Sequence, residues 1–321
     1  PDCVIICAGL AQTTEETPEE FKPRNMSDLL YLEKMYLAGA RGYFDVMGAQ
    51  VYGLFTGPYD RRVSRDRSNF GRVQLLREIM VRHGDGAKPI WATEVGWNAL
   101  PEGLAVPPIY GRVSEHYQAL YAAQAYERAA REWPWMGVMN YWFLRRPSDA
   151  EKDQAWYYFR MLEPDFTPLP VYDTLASLAQ QPPRAHSGYH QEDHWALQYQ
   201  GSWQEVADDA AVLGRYKEGV EGATVSWIFQ GTHLALVLRD ATQIDHLRVM
   251  LDGAPVVACE RCAAPVSAPG LKVIARGLDR EAYHYVQLAV QGGAVGLDGF
   301  VVWTDQPRGW IAIVIGLGLA G

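Results

Sequence analysis

The residues of this chain best suited to chemistry sit where apolar runs end. Pro89-Ile90-Trp91-Ala92-Thr93-Glu94-Val95-Gly96-Trp97 reads as a buried strand with Glu94 at its C-terminal lip. Strand side chains alternate faces, so Ala92 and Glu94 are expected on one side, Trp91 and Thr93 on the other. A carboxylate at the end of a buried strand is costly unless it is paired or does chemistry. The competing reading is a hydrogen-bonded Glu that tethers a loop. Two other runs end in the same way. The strand predicted over 44–53 puts Gln50 and Tyr52 on one face near its C-terminal end, and the one over 136–143 does so with Val138, Asn140 and Trp142.

Cysteine offers a second kind of chemistry. Cys259-Glu260-Arg261-Cys262 has the spacing of a zinc half-site, but no second half-site of matching spacing appears. A local disulfide clipping an extracellular loop is expected there, with a free pair as the alternative. Cys3 and Cys7 lie in an apolar stretch and read as small core residues. No metal site and no cofactor are expected.

The elements that must position these groups alternate through the first half of the chain. A continuous apolar strand is predicted over Val4–Ala8, as for a strand covered on both faces. Ser27 is placed to cap a helix carrying Leu29, Leu30, Leu32, Met35, Tyr36 and Leu37. After the second strand, a loop with several Arg, 61–72, reads as solvated surface balanced by neighbouring acids, with recognition of an acidic sugar as the alternative. A helix with Val73, Leu76, Ile79 and Met80 precedes the Glu94 strand. Ser114 caps a helix running from Glu115 to Trp133, which Pro134 closes, and a last helix surrounds Val171–Leu178. Strand and helix in alternation argue for a parallel sheet with right-handed crossovers. Gln50, Tyr52, Glu94, Asn140 and Trp142 all fall at strand C-termini, where barrels of this kind build active sites.

The chain changes character after the linker Gln180-Gln181-Pro182-Pro183-Arg184. Short alternating segments at 224–229, 234–238, 247–253, 284–290 and 299–303, separated by Gly- and Asp-rich turns, predict an antiparallel β-sandwich. The expected divisions are 1–183, 184–308 and 309–321. The last of these is uncharged and apolar. As a helix it would reach ~18 Å, short of the ~30 Å of hydrocarbon, so it reads as the start of a transmembrane anchor, with a buried terminal strand as the alternative. The chain begins at Pro1 without a basic leader, which reads as a cut or processed end.

A net charge of −9 offers no basic face for phosphate, so nucleic acid is not an expected partner. Eleven Trp and eighteen Tyr exceed ordinary core needs and suit the flat faces of sugars, although aromatics also fill cores.

Three consecutive strand ends resemble one family. Ala92-Thr93-Glu94-Val95-Gly96-Trp97 looks like strand seven of the clan A glycoside hydrolases, the (β/α)8-barrel enzymes that include β-xylosidases and iduronidases. Gly48-Ala49-Gln50-Val51-Tyr52-Gly53 is similar to their strand six, and Asn140-Tyr141-Trp142 resembles strand eight. The resemblance implies a partial (β/α)8 TIM-type barrel, strands five to eight, over the first ~180 residues. It implies Glu94 as the nucleophile of a retaining mechanism, Tyr52 as its hydrogen-bond donor, and Trp142 as the platform under the sugar. Asn140, Gln50 and Trp97 follow as substrate contacts. Gln50 stands where the family more usually has His. The second half, through Tyr199-Gln200-Gly201-Ser202-Trp203, the stretch 223–232 and Val249-Met250-Leu251-Asp252-Gly253, resembles galactose-binding-like β-sandwiches. Trp203 reads equally as core residue and as ligand platform.

One departure bounds the expectation. The family carries its acid/base Glu in an Asn-Glu motif closing strand four, and no Asn-Glu dipeptide occurs here. Strands one to four are expected before Pro1. Glu102 and Glu115 read as loop and helix-cap residues. The expected protein is a fragment of an extracellular or cell-surface glycosidase acting on an oligo- or polysaccharide and inactive as this chain alone. A non-catalytic cell-surface glycan-binding or adhesion protein on a barrel-derived scaffold is the alternative.

Overall fold

Apolar runs bounded by Gly and Pro become parallel strands, and amphipathic runs become the helices that cover them. The computed structural model describes residues 3–14, 26–259, 262–265 and 268–305. Strands β1 (Met47–Gln50), β2 (Ile90–Val95) and β3 (Met136–Tyr141) form a parallel sheet in that order. The segment expected as a strand over Val4–Ala8 runs parallel beside β1 but is joined only by the bridges Ile6↔Val46 and Leu10↔Ala49. Val4, Ile5 and Ile6 stay exposed along it.

The helices are α1 (Asp28–Leu37), α2 (Val73–Arg82), α3 (Glu115–Glu132) and α4 (Pro170–Ala179). Val73, Leu76, Ile79 and Met80 recur at helical spacing on α2, and all are buried. They share a core with Met47, Ala49, Ile90 and Ala92 of the sheet. Ser114 caps α3 by accepting from the Tyr117 amide. Ser27 holds the cap position of α1 without capping it, because its hydroxyl is turned to Arg72, whose Nη2 lies 3.4 Å away.

Arg72 corrects the reading of 61–72 as surface. Arg61 and Arg62, both exposed, pair with Glu132 and Asp60. Arg72 is instead fully buried against the equally buried Asp28, with Nη2 2.7 Å from Oδ1. Its remaining donors reach the carbonyls of Thr13 at 2.8 Å, Arg65 at 2.8 Å and Arg67 at 2.9 Å. One guanidinium therefore gathers the start of α1, the Arg-rich loop and the segment after Leu10.

Strict alternation along β2 does not hold either. β1 pairs Ala49 with Ala92 and then Gln50 with Glu94, leaving Thr93 as an extra residue. Ala92 and Val95, three positions apart, both enter the core, while Glu94 lines an open cleft. Bulges re-aim a side chain in this way.

A second compact unit begins at Pro182, the first ending at Gln181. Its strands are β4 (Arg184–Ala185), β5 (Gly188–Gln191), β6 (Gln198–Gln200), β7 (Trp203–Ala207), β8 (Arg215–Gly219) and β9 (Thr224–Phe229). They continue as β10 (His233–Leu238), β11 (Leu247–Leu251), β12 (Ala254–Val256), β13 (Leu271–Ala275), β14 (His284–Val290) and β15 (Val295–Trp303). One sheet runs β13-β10-β15-β8-β7 with β5 also on β15, the other β12-β11-β14-β9-β4 with β6 also on β9. Alternate residues of both sheets, among them Val225, Trp227, Phe229, Leu234, Leu236, Val286, Leu288 and Phe300, share one core. The two-residue turn Asp252-Gly253 between β11 and β12 has positive φ at both positions, 49° and 80°, as a tight hairpin requires. Trp203 packs half-buried against that core and donates to the Thr224 carbonyl, which gives it a structural role. Among the described residues no helix is long and apolar enough to cross a membrane, and the expected anchor at 309–321 lies outside them.

Removing one member of a buried ion pair strands the other. Arg72→Met is expected to destabilise the first unit by about 3–5 kcal/mol in urea unfolding, against under about 1 kcal/mol for Arg61→Ala at the surface. Equal effects of the two would show that Arg72 is not the interior tie described.

Candidate functional site

The C-terminal ends of the parallel strands surround a cleft of about 440 Å³. Gln12 enters it from the flanking segment, Gln50 and Tyr52 from the end of β1, Glu94 from β2 and Trp142 from just beyond β3. Tyr110, Trp156 and Phe159 add aromatic wall. Tyr52 Oη donates to Glu94 Oε2 at 2.5 Å, and Glu94 Oε1 accepts no hydrogen bond from a described residue. Burial, followed by the Glu94 hydrogen bond and charge, pushes the Tyr52 phenol far above its ordinary range, so it remains a donor at physiological pH.

Backbone contacts fix the pair. Gln12 accepts from the Tyr52 amide through Oε1 at 2.9 Å and donates through Nε2 to the Asn69 carbonyl at 2.8 Å. The Tyr52 ring stands edge-on to Trp142 at 6.1 Å and to Phe159 at 5.3 Å, while Trp142 and Phe159 are 5.5 Å apart. The Trp142–Phe143 peptide is cis. Gln118, buried on α3, donates to the carbonyls of Trp97 at 2.8 Å and Tyr158 at 2.9 Å, tying the aromatic stretch 156–159 to the exit of β2.

No family model matches the chain. No curated protein matches it. Solved structures do resemble it in part. A family 39 glycoside hydrolase from the gut symbiont Bacteroides cellulosilyticus WH2 shares 17% identity over 80% of this chain and 46% of its own, at a TM-score of 0.35. A family 6 carbohydrate-binding module shares 12% over 39% of this chain and 100% of its own, at 0.26. An exo-beta-1,3-galactanase from Phanerochaete chrysosporium shares 18% over 37% of this chain and 30% of its own, at 0.25. This chain thus spans about half of the first of these structures. At such scores the likenesses set no chemistry, which rests on the residues themselves.

Four of the six residues singled out from sequence, Glu94, Tyr52, Gln50 and Trp142, meet in the cleft. Asn140 does not line it; its amide donates to the Ala92 carbonyl at 3.2 Å and stitches β3 to β2. Trp97 is a correction. It is 0% exposed, packs on Phe70 and Tyr121 at 5.7 Å each, and donates to the Thr56 carbonyl at 2.8 Å. A Cβ at position 53 would lie 1.9 Å from its ring, so Gly53 is glycine to admit it. A large apolar ring beside the rim gained more by dropping into the core than by facing solvent.

Gln12, Tyr110, Arg146, Trp156 and Phe159 were not anticipated. The run Trp156-Tyr157-Tyr158-Phe159 between β3 and α4 was a usable signal, since four consecutive aromatics in a connection exceed what a loop needs. Gln12 carried none. Among the lining residues Glu94 is the one carboxylate and Arg146 the one cation. The Arg146 guanidinium pairs with Glu151 at 2.9 Å and lies over the Phe143 ring.

The raised phenol sets a pH signature. The stabilisation that Tyr52 draws from staying protonated is fully present below about pH 10, the unfolded tyrosine value, and is lost as pH rises from there toward the higher folded value. The stability gap between wild type and Tyr52→Phe, measured by urea unfolding, should be constant through neutral pH and shrink above about pH 10. A gap that widens with alkali would reverse the assignment.

Proposed function

We propose that the chain carries the nucleophile half of a retaining glycoside hydrolase site, with Glu94 attacking the anomeric carbon of an oligo- or polysaccharide. The observation that carries this is the 2.5 Å hydrogen bond from Tyr52 to Glu94 within an aromatic-walled cleft. The bond occupies Oε2 and orients the carboxylate, which leaves Oε1 to attack. Trp142 offers a flat apolar face for the sugar ring, and Gln50 and Gln12 offer amides for its hydroxyls.

Retention needs two carboxyl groups about 5 to 5.5 Å apart. No second carboxylate lines the cleft among the described residues, so the acid/base belongs to structure beyond them. The parallel order of the flanking segment, β1, β2 and β3, with no further strand on either side among the described residues, supports strands five to eight of a (β/α)8 barrel completed by further strands. The paired antiparallel sheets from Pro182 onward support a galactose-binding-like β-sandwich. An extracellular or cell-surface setting accords with the disulfide, and the stretch from 309 is proposed as the start of an anchor. A second reading, a non-catalytic glycan-binding protein, draws on the same solitary carboxylate.

Fluoride leaves without an acid, so this chain can be tested alone. Incubation with a panel of 2-deoxy-2-fluoroglycosyl fluorides should form an ester between a Glu94 carboxylate oxygen and the anomeric carbon, expelling fluoride. Intact-mass and peptide analysis should find the adduct on Glu94 and none in Glu94→Gln. Tyr52→Phe should slow labelling by about 10- to 100-fold, the worth of one charge-assisted hydrogen bond. Failure of the whole panel to label Glu94, with glycan binding retained in Glu94→Gln, would favour the non-catalytic reading.

A further inference from the structure

Cys259 and Cys262 form a disulfide in the second unit, with Cα atoms 5.6 Å apart. Cys259 is docked on β13, its amide donating to the Val273 carbonyl at 2.7 Å. Arg276 follows directly after β13 and sends Nη1 to Cys262 Sγ at 3.2 Å. Among the described residues that exposed guanidinium has no carboxylate partner; the sulfur is its contact.

Stability is a weak reason for this bridge. It closes a loop with two intervening residues, where cross-linking removes least entropy from the unfolded chain. The cation beside one sulfur has a different consequence. A thiolate next to Arg is stabilised, and a thiol that leaves as a stable thiolate leaves faster.

We propose that Cys259–Cys262 is a thiol-exchange site, with Arg276 stabilising Cys262 as the leaving thiolate, open to a small thiol of the glutathione kind. The incoming thiolate bonds to Cys259 Sγ, the sulfur–sulfur bond breaks, and its electron pair goes to Cys262 Sγ beside Arg276. A second small thiolate then attacks the sulfur of the first, that bond to Cys259 breaks with its electron pair going to Cys259 Sγ, and the two small molecules leave joined as a disulfide. Two thiols lose two electrons to become a disulfide, and the protein gains a dithiol. The same steps run in reverse under oxidising conditions. Both cysteines are half-buried, packed at the edge of the cluster that holds Val237 and Val273 rather than sealed within it.

The test uses the full chain equilibrated across a series of reduced and oxidised glutathione, quenched by alkylation, with Cys259 and Cys262 read separately by peptide mass. Replacing the guanidinium by a neutral amide in Arg276→Gln should require about tenfold more reducing buffer to open the bond, the effect of one pKa unit on the leaving thiolate. Arg276→Lys, which keeps the charge, should stay within about threefold of wild type. In the reduced protein, Cys262 should alkylate faster than Cys259 below neutral pH, and Arg276→Gln should remove that difference. A midpoint within twofold of wild type in Arg276→Gln, or faster alkylation of Cys259, would reduce the bridge to a structural clip. Circular dichroism of each variant confirms that the exposed substitution leaves the fold intact.

Discussion

The first unit depends on a guanidinium that never meets water. Arg72 balances its charge on Asp28 and spends its remaining donors on four carbonyls from two loops. A buried ion pair of this kind adds little net stability over well-packed apolar residues, but it becomes strongly unfavourable when a partner is missing. Its effect is therefore one of specification. With Thr13 held by Arg72, the adjacent Gln12 is delivered to the Tyr52 amide, and Tyr52 to Glu94. The route from interior charge to cleft carboxylate runs through four contacts, each with a polar group satisfied at both ends.

The cleft also rests on an irregularity. An unbroken β2 would set Ala92 and Glu94 on one face and force a choice between an apolar core position and an open one. The extra residue Thr93 removes that conflict: Ala92 stays in the core, Glu94 turns to the cleft, and the Thr93 hydroxyl donates to the Ala49 carbonyl at 3.2 Å. Gln118 serves the opposite wall, holding β2 and the aromatic stretch with a single amide group. The acidic group thus lies in a frame set by two glutamines and an arginine, none of which reacts.

Much of this was legible because apolar periodicity is local. The strands around Gln50, Glu94 and Asn140, the caps and span of α3, and the longer strands β9, β10 and β14 follow from patterns within a few residues. The bulge at Thr93 was not legible, since pairing register is decided between strands and leaves no mark within one. Trp97 was misjudged for a related reason: the glycine that admits it, Gly53, lies on the neighbouring strand exit. Gln12 acts on a residue forty positions away, and nothing around it announces that partner. Short strands such as β6 and β8, Gln-Tyr-Gln and Arg-Tyr-Lys-Glu-Gly, are largely polar and half-exposed, so period two is faint in them.

Among the described residues the parallel ladder stops at the exposed Val4–Ile6 segment on one side and at β3 on the other. Such edges are templates for one another, because the ladder that joins β1 to β2 can equally join two molecules. An exposed edge of this kind is where a further strand can pair, so the rim of the cleft is tied to whatever strand completes the ladder.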